Sequence, residues 1–277
     1  MDRLHALQNI AAQAIRGELS FPTNVDATLR LQQALNDPEC HADDAARLVQ
    51  AEPLLAARTV AIANSVTYNR SGNDVTNVRA AVQRVGFRTL GALAAAVIVR
   101  QLSSEITDPD LRKRADALWR HSAHVAALAQ VIARRVSFVD PETAMFAGIV
   151  HEVGGFYMLS RAHAFPGLLD GDADDWMDHG EVAIGRGVLL RLGVPAPVMG
   201  AIEAMWNGMR ALPPETLGDT LLLANDLSPV PSPLLERPGA TTLQAAATID
   251  FAVGDGTLAR IMEESAHEVQ SLTSALL

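Results

Sequence analysis

The chain is organised around residues 144–155, AMFAGIVHEVGG, in which His151 and Glu152 stand side by side within an otherwise apolar run. Burying two polar groups among apolar ones is costly unless they are hydrogen-bonded, paired or bound to a metal. Neighbouring helical residues point about 100° apart, so both side chains reach one ion only if it lies between their two directions. We therefore interpret the pair as the polar centre of the fold, carried by a helix that begins at Asp140.

Composition points to a large helical protein. The 277 residues are 49% hydrophobic but only 4% aromatic, and their mean hydropathy is +0.13. A single cysteine, Cys40, excludes an internal disulfide and a zinc site built from cysteines. No apolar run approaches the roughly 20 residues of a membrane span, and the first residues lack the pattern of a signal peptide. We expect a cytoplasmic protein with no membrane partner.

The charge is unevenly distributed. The whole chain carries −10, and residues 170–277, with 5 basic and 16 acidic side chains, carry −11. An acidic half of this kind repels a phosphate backbone, so we expect no nucleic-acid partner. A solvated, solubilising face is the simpler interpretation of the acidic excess.

Apolar residues recur at three- and four-residue intervals along most of the chain, and no strand pattern is found, so we predict an all-α fold. The residues from 228 to 239 are rich in proline and are predicted to be irregular. Beside the helix that begins at Asp140, the pattern predicts helices at 2–16, 25–35, 43–51, 54–66, 78–85, 90–102, 108–136, 181–192, 197–209, 217–227 and 258–272.

Short motifs in the N-terminal half resemble those of the HDOD domain, a degenerate relative of the HD and HD-GYP phosphohydrolases. The resemblance covers roughly residues 15 to 210. Its motifs, in chain order, are Phe21-Pro22, Leu35-Asn36-Asp37-Pro38, Glu52-Pro53-Leu54, Ala61-Ile62-Ala63-Asn64-Ser65 with Tyr68, and Val78-Arg79-Ala80-Ala81 through Val85-Gly86. The resemblance implies a two-part helical bundle, with an N-terminal subdomain at 1–105 packed on an HD-like subdomain with a C-terminal extension at 106–277.

The C-terminal half resembles the HD core, and that resemblance implies four candidate metal ligands. They are His121, His151, Glu152 (where the family has aspartate) and Asp226. Two further histidine positions of the family are replaced, one by Glu181 and one by Met205-Trp206, and the Gly-Tyr-Pro motif of HD-GYP enzymes is absent.

Three interpretations of this centre remain open. It is a hydrogen-bonded polar knot that fixes two core helices, or it retains a single divalent metal ion, or it is a working hydrolase. Glutamate reaches about 1.5 Å further than aspartate, whereas metal–ligand distances tolerate only a few tenths of an ångström. The helix would therefore shift, or the carboxylate would find another partner. We expect no cofactor, or at most one divalent metal ion, and no enzymatic activity.

The resemblance implies a non-enzymatic bacterial module for signal transduction or regulation. It would bind a protein partner or a small effector, and the crease between the two helical subdomains is the natural place for that contact. The alternative is a metal-dependent phosphohydrolase acting on a nucleotide or a cyclic dinucleotide, which His121 and the His151-Glu152 pair favour. Asn64, in the most specific of the motifs, is expected to cap or bridge backbone groups near the following loop.

Overall fold

The computed structural model of the chain describes residues 3–21, 28–29, 32–35, 37–165, 167–169, 173–208, 211, 213–234 and 257–277. Across this part of the chain every regular element is a helix, which confirms the all-α fold class. Of the predicted helix at 25–35, residues 28–29 and 32–35 are helical. The rest of that helix, Pro22 of the first motif and residues 235–239 lie outside the described residues.

The described helices are listed here in chain order. They are α1 (Arg3–Ile15), α2 (Ala42–Gln50), α3 (Pro53–Ala63), α4 (Val78–Leu102), α5 (Pro109–Ile132), α6 (Pro141–Val150), α7 (Val153–Arg161), α8 (Val182–Arg191), α9 (Ala196–Trp206), α10 (Leu217–Asp226) and α11 (Thr257–Leu276). A short helix, Ala173–Trp176, and a π-helical turn, Met177–Glu181, lead directly into α8. Another π-helical turn, Ala133–Ser137, ends α5.

Helix starts follow the signals in the sequence. The side chains of Asp108 and Asp140 accept hydrogen bonds from the first free backbone N–H groups of α5 and α6. In both cases a proline comes next, at the first helical position, where its missing N–H and fixed φ are tolerated. These caps fix where the two helices that carry the polar centre begin.

Helix α4 lies in the core of the molecule. Its backbone kinks at Gly86 (φ 78°, ψ 168°), a conformation that glycine adopts readily, and this kink is what the sequence predicted as a break between two helices. Of the described helices, α4 is the one long and apolar enough to cross a membrane, but 67% of its most apolar window is buried. Packing against α2, α3 and α6 accounts for that apolarity.

The two predicted subdomains share one hydrophobic cluster. The predicted boundary near residue 105 falls in the link between α4 and α5. Helix α11 then packs across α3 and α5, so it contacts both subdomains. Glu268 on α11 binds Arg134 and accepts a hydrogen bond from Thr67, and the hydroxyl of Ser271 accepts one from the backbone of Val66.

Helices α5 and α6 approach each other so closely that their backbones touch at Gly148. A Cβ atom built on Gly148 would lie 2.5 Å from the Cα of Ala126, well inside van der Waals contact. Glycine is therefore required at this crossing. The close approach brings His121 on α5 within reach of His151 at the end of α6.

The variant Gly148→Ala is expected to lower the free energy of unfolding by about 1–3 kcal/mol, because the added methyl group forces α5 and α6 apart. Chemical denaturation would measure the change. Gly200→Ala on α9, where an added Cβ would meet nothing within 4 Å, is the matched control. We expect that control to gain up to about 1 kcal/mol from helix propensity. Equal effects in the two variants would contradict the backbone contact.

Candidate functional site

The structure brings together three of the four candidate ligands. The ligand atoms of His121, His151 and Glu152 all lie within 4.8 Å of one another. The three residues are 1%, 3% and 4% exposed, respectively. Sequence analysis had placed the His151-Glu152 pair inside a helix, and that placement is wrong. Both residues form the two-residue link between α6 and α7.

The break at this link changes the direction of Glu152. Its backbone (φ −100°, ψ 15°) leaves helical geometry, and Gly154 and Gly155, poor helix formers, follow at the start of α7. A Cβ atom on Gly155 would lie 2.3 Å from a methyl group of Leu234 and 3.4 Å from the Glu152 carboxylate. The glycine therefore leaves room for Leu234, and the Glu152 carboxylate lies next to it.

Each histidine is anchored through its Nδ1 atom. His121 Nδ1 lies 2.7 Å from the carbonyl oxygen of Val230, and His151 Nδ1 lies 2.8 Å from that of Gly148. A carbonyl oxygen only accepts, so both Nδ1 atoms donate, and in the neutral tautomer both Nε2 atoms carry lone pairs. This is the arrangement found around metal-ligating histidines, whose second nitrogen donates to a carbonyl or carboxylate.

The Nε2 atoms of His121 and His151 face each other at 3.3 Å. The side-chain oxygen of Asn225 lies 3.1 Å from the Nε2 atom of His121. Two neutral rings would point lone pairs at one another across this gap. A proton on one Nε2 or a cation between the two removes the conflict. Two nitrogens bound to one tetrahedral ion at about 2.0–2.1 Å are themselves about 3.3 Å apart, so the observed spacing fits a single metal ion.

Burial sets the charge states of this centre. It lowers the pKa of His151 from 6.5 to about 3, helped by nearby His121 and opposed by the hydrogen bond to Gly148. His151 is therefore neutral near pH 7, which is the form that binds a metal. Burial also raises the pKa of Glu152, while His121 and a hydrogen bond from Ser232 act in the opposite direction.

Residues 228–234, the first part of the proline-rich segment, close the centre from the outside. Val230 supplies the carbonyl for His121, and Ser232 supplies the hydroxyl for Glu152. Leu234 packs against Gly155. We call residues 228–234 the strap. The partner that Glu152 finds in the strap is a serine, one of the two outcomes that the extra methylene led us to expect.

Asp226 is not part of the ligand group. The preceding residue, Asn225, faces His121 instead, and neighbouring residues of α10 point about 100° apart. Among the described residues, Glu152 is the one acidic member of the group, and Glu181 does not belong to it. The indole of Trp206 packs on Gly185, between α8 and α9.

Sequence reasoning missed Asn225, Val230 and Ser232. The resemblance implied Asp226, and the structure instead places the side chain of the preceding residue, Asn225, beside His121. A backbone carbonyl such as that of Val230 leaves no signal in the sequence. Asn64 behaves as expected: its side chain exchanges two hydrogen bonds of 2.8 Å with the backbone of Val75 and pins the loop after α3.

The comparison with known families decides the assignment. A family model for the HDOD domain matches residues 21–169, just over half of the chain. The chain belongs to the HDOD domain family. No curated protein matches it in sequence. The HDOD match spans most of the N-terminal subdomain and the whole α5–α7 region that carries His121, His151 and Glu152.

Solved structures share this HDOD fold over the full chain. A "Putative metal-dependent phosphohydrolase" from Shewanella amazonensis SB2B is 21% identical, with a TM-score of 0.77 and 100% of both chains covered. An HDOD domain protein of unknown function from Geobacter sulfurreducens is 20% identical, with a TM-score of 0.62 over 98% of this chain and 97% of that one. A "Putative signal transduction protein" from Marinobacter aquaeolei VT8 is 19% identical, with a TM-score of 0.60 over 99% of this chain and 66% of that one. At these identities the likeness concerns the fold.

Proposed function

We propose that this HDOD protein is a non-enzymatic bacterial module for signal transduction, which binds a protein partner or a small effector. One observation carries the proposal: the only group of clustered ligand residues in the described part of the chain is sealed beneath the strap. A hydrolase must bring a phosphoester to its metal, yet His121, His151 and Glu152 are each at most 4% exposed. The carboxylate and one imidazole of this centre are used to hold the strap.

In this proposal the centre acts as a joint. It ties α5, the α6–α7 link, the end of α10 and the strap into one unit, with or without a single ion. The effector or partner acts elsewhere, at the crease where α4 meets α6 and α9. The Arg88–Asp140 ion pair, at 2.6 Å, connects α4 to the start of α6 across this crease. A ligand that moves α4 relative to α6 would change the distance between Arg88 and Asp140.

The test is a combined metal and activity measurement on protein purified without chelator. We expect at most one manganese, iron or zinc ion per chain, lost in His151→Ala. We expect hydrolysis of bis(p-nitrophenyl) phosphate, with each metal added in turn, to stay at the level of that variant. Wild-type turnover at least tenfold above His151→Ala would overturn the proposal. Circular dichroism of the variant confirms that it is folded.

The second candidate is a metal-dependent phosphohydrolase. Its support is the pair of Nε2 atoms at 3.3 Å beside a carboxylate, a donor set suited to zinc, iron or manganese. A bound ion would supply a Lewis acid and lower the pKa of a coordinated water. The strap would have to leave for substrate to enter. Under this candidate, trimming the strap contact with Ser232→Ala raises turnover, whereas under the favoured proposal it does not.

A further inference from the structure

A cavity of about 340 Å³ lies in the crease between the two helical subdomains. It is lined from α4 by Phe87 and Arg88, from α6 by Glu142 and Phe146, and from the α8–α9 link by Pro195. Its volume is at the lower end of the range for ligand pockets, about 300–1,000 Å³, and suits a metabolite-sized molecule. The kink at Gly86 lies directly before Phe87, so a ligand here contacts α4 at its bend.

Gln32 presents an unused amide to this cavity. The residue is 7% exposed, and within the described part of the chain its side chain has no hydrogen-bond partner. Because Gln32 lines the cavity, a bound ligand can reach this amide. A ligand with a polar substituent would satisfy it.

The charged groups around the cavity differ in their ion pairs. Arg88 is held by Asp140, which also accepts hydrogen bonds from the backbone and hydroxyl of Thr143 at 2.8 Å and 2.6 Å. Glu142, by contrast, has no cation within the 4 Å ion-pair distance among the described residues. Arg70 and Arg134 share a neighbouring open cavity with Glu142, and Arg134 is bound to Glu268.

The aromatic side chains and the carboxylate that line the cavity are together suited to an organic cation. Phe146 follows Glu142 by four residues on α6, so a carboxylate and an aromatic ring lie on the same helix face. Phe87, which is 38% exposed, lines the same cavity from α4. Aromatic faces and a carboxylate together recognise organic ammonium groups. Glu142 also suits the first turn of α6 through the helix dipole, and binding data on its variants separate the two roles.

We propose that this cavity binds a small organic amine with an aromatic or branched apolar body. The ammonium group pairs with Glu142, the apolar body packs between Phe87 and Phe146, and the Gln32 amide bonds a polar substituent. The proposal deepens the proposed function, since it names the chemical class of the effector and the place where it acts. It commits to the crease, away from the His121–His151–Glu152 centre.

The experiment is isothermal titration calorimetry of the full chain with three probes that share a phenylethyl group. They are phenethylamine (cationic), 2-phenylethanol (neutral) and 3-phenylpropionate (anionic). We expect saturable binding of phenethylamine with a Kd of about 1 mM or below, and at least tenfold weaker binding of the other two. Glu142→Gln should weaken phenethylamine binding at least tenfold, and Phe87→Ala should weaken it as well. Glu105→Gln, an exposed glutamate in the α4–α5 link, is the control with the same charge change and should bind normally.

Any of three outcomes would overturn the proposal of an amine site. These outcomes are no saturable binding of phenethylamine, 3-phenylpropionate binding as tightly as the amine, and equal binding by Glu142→Gln and Glu105→Gln. None of them affects the non-enzymatic assignment, which the phosphodiester assay tests by itself. Conversely, turnover in that assay would overturn the assignment and leave amine binding at the crease intact.

Discussion

His121→Ala is expected to lower the free energy of unfolding by about 3 kcal/mol or more. The imidazole bonds the carbonyl of Val230 and lies within hydrogen-bond distance of Asn225 and His151. Removing it leaves several buried polar groups without partners, each worth about 1–3 kcal/mol, and opens a cavity. Urea denaturation monitored by circular dichroism would measure the loss.

His124→Ala is the control for this variant. His124 lies three residues further along the same helix, is half-exposed, and its Nδ1 atom lies 2.8 Å from the backbone carbonyl oxygen of Arg120. We expect its loss to change stability by about 0.5 kcal/mol or less. Similar losses in the two variants would contradict the picture of His121 as the joint between α5, α10 and the strap.

Acid is expected to destabilise the metal-free protein through His151. The folded protein keeps this imidazole neutral because burial lowers its pKa from 6.5 to about 3. The unfolded chain takes up a proton near pH 6.5, whereas the folded chain does not until near pH 3. The contribution of His151 to the free energy of unfolding is therefore fully present above pH 6.5 and is lost as the pH drops towards 3. At about 1.4 kcal/mol per pH unit, roughly 3 kcal/mol is lost between pH 6.5 and 4.

Glu152 contributes the opposite slope. Its pKa is raised on folding from the ordinary value of 4.5, so the folded chain holds a proton that the unfolded chain releases, and stability falls as the pH rises above 4.5. Denaturation curves of wild type, His151→Gln and Glu152→Gln from pH 4 to 8 separate the two. We expect His151→Gln to lose the acid-labile component. Identical pH slopes in wild type and His151→Gln would show that His151 is charged when folded.

The sequence was sufficient to find the polar centre but not to describe it. His151 and Glu152 were recognised because two adjacent polar residues in an apolar run have to be paired somewhere. The cap residues Asp108 and Asp140 were readable for a similar local reason, since capping involves residues only two or three positions apart. The kink at Gly86 was visible because glycine is the residue that tolerates its φ.

The residues that contact this polar centre could not be predicted from the sequence. His121 and Val230 are 109 residues apart, and the contact uses a backbone carbonyl that every residue possesses. The choice between Asn225 and Asp226 depends on the rotation of α10 about its axis, which the packing of the surrounding helices sets. The strap was predicted only as an irregular segment, because proline-rich sequence excludes a helix without saying where the chain goes.

The crease cavity is likewise a tertiary property. Phe87, Glu142 and Phe146 look like ordinary helical residues, and only the packing of α4 against α6 places them around one space. The amino-acid sequence by itself determined the helices, their caps and the pair of residues that had to be buried together, because these follow from local backbone preference and from the cost of burying polar groups. Only the tertiary structure decided which distant groups meet that pair, that the strap closes over it, and that a cavity remains at the crease, because those contacts depend on how whole helices pack.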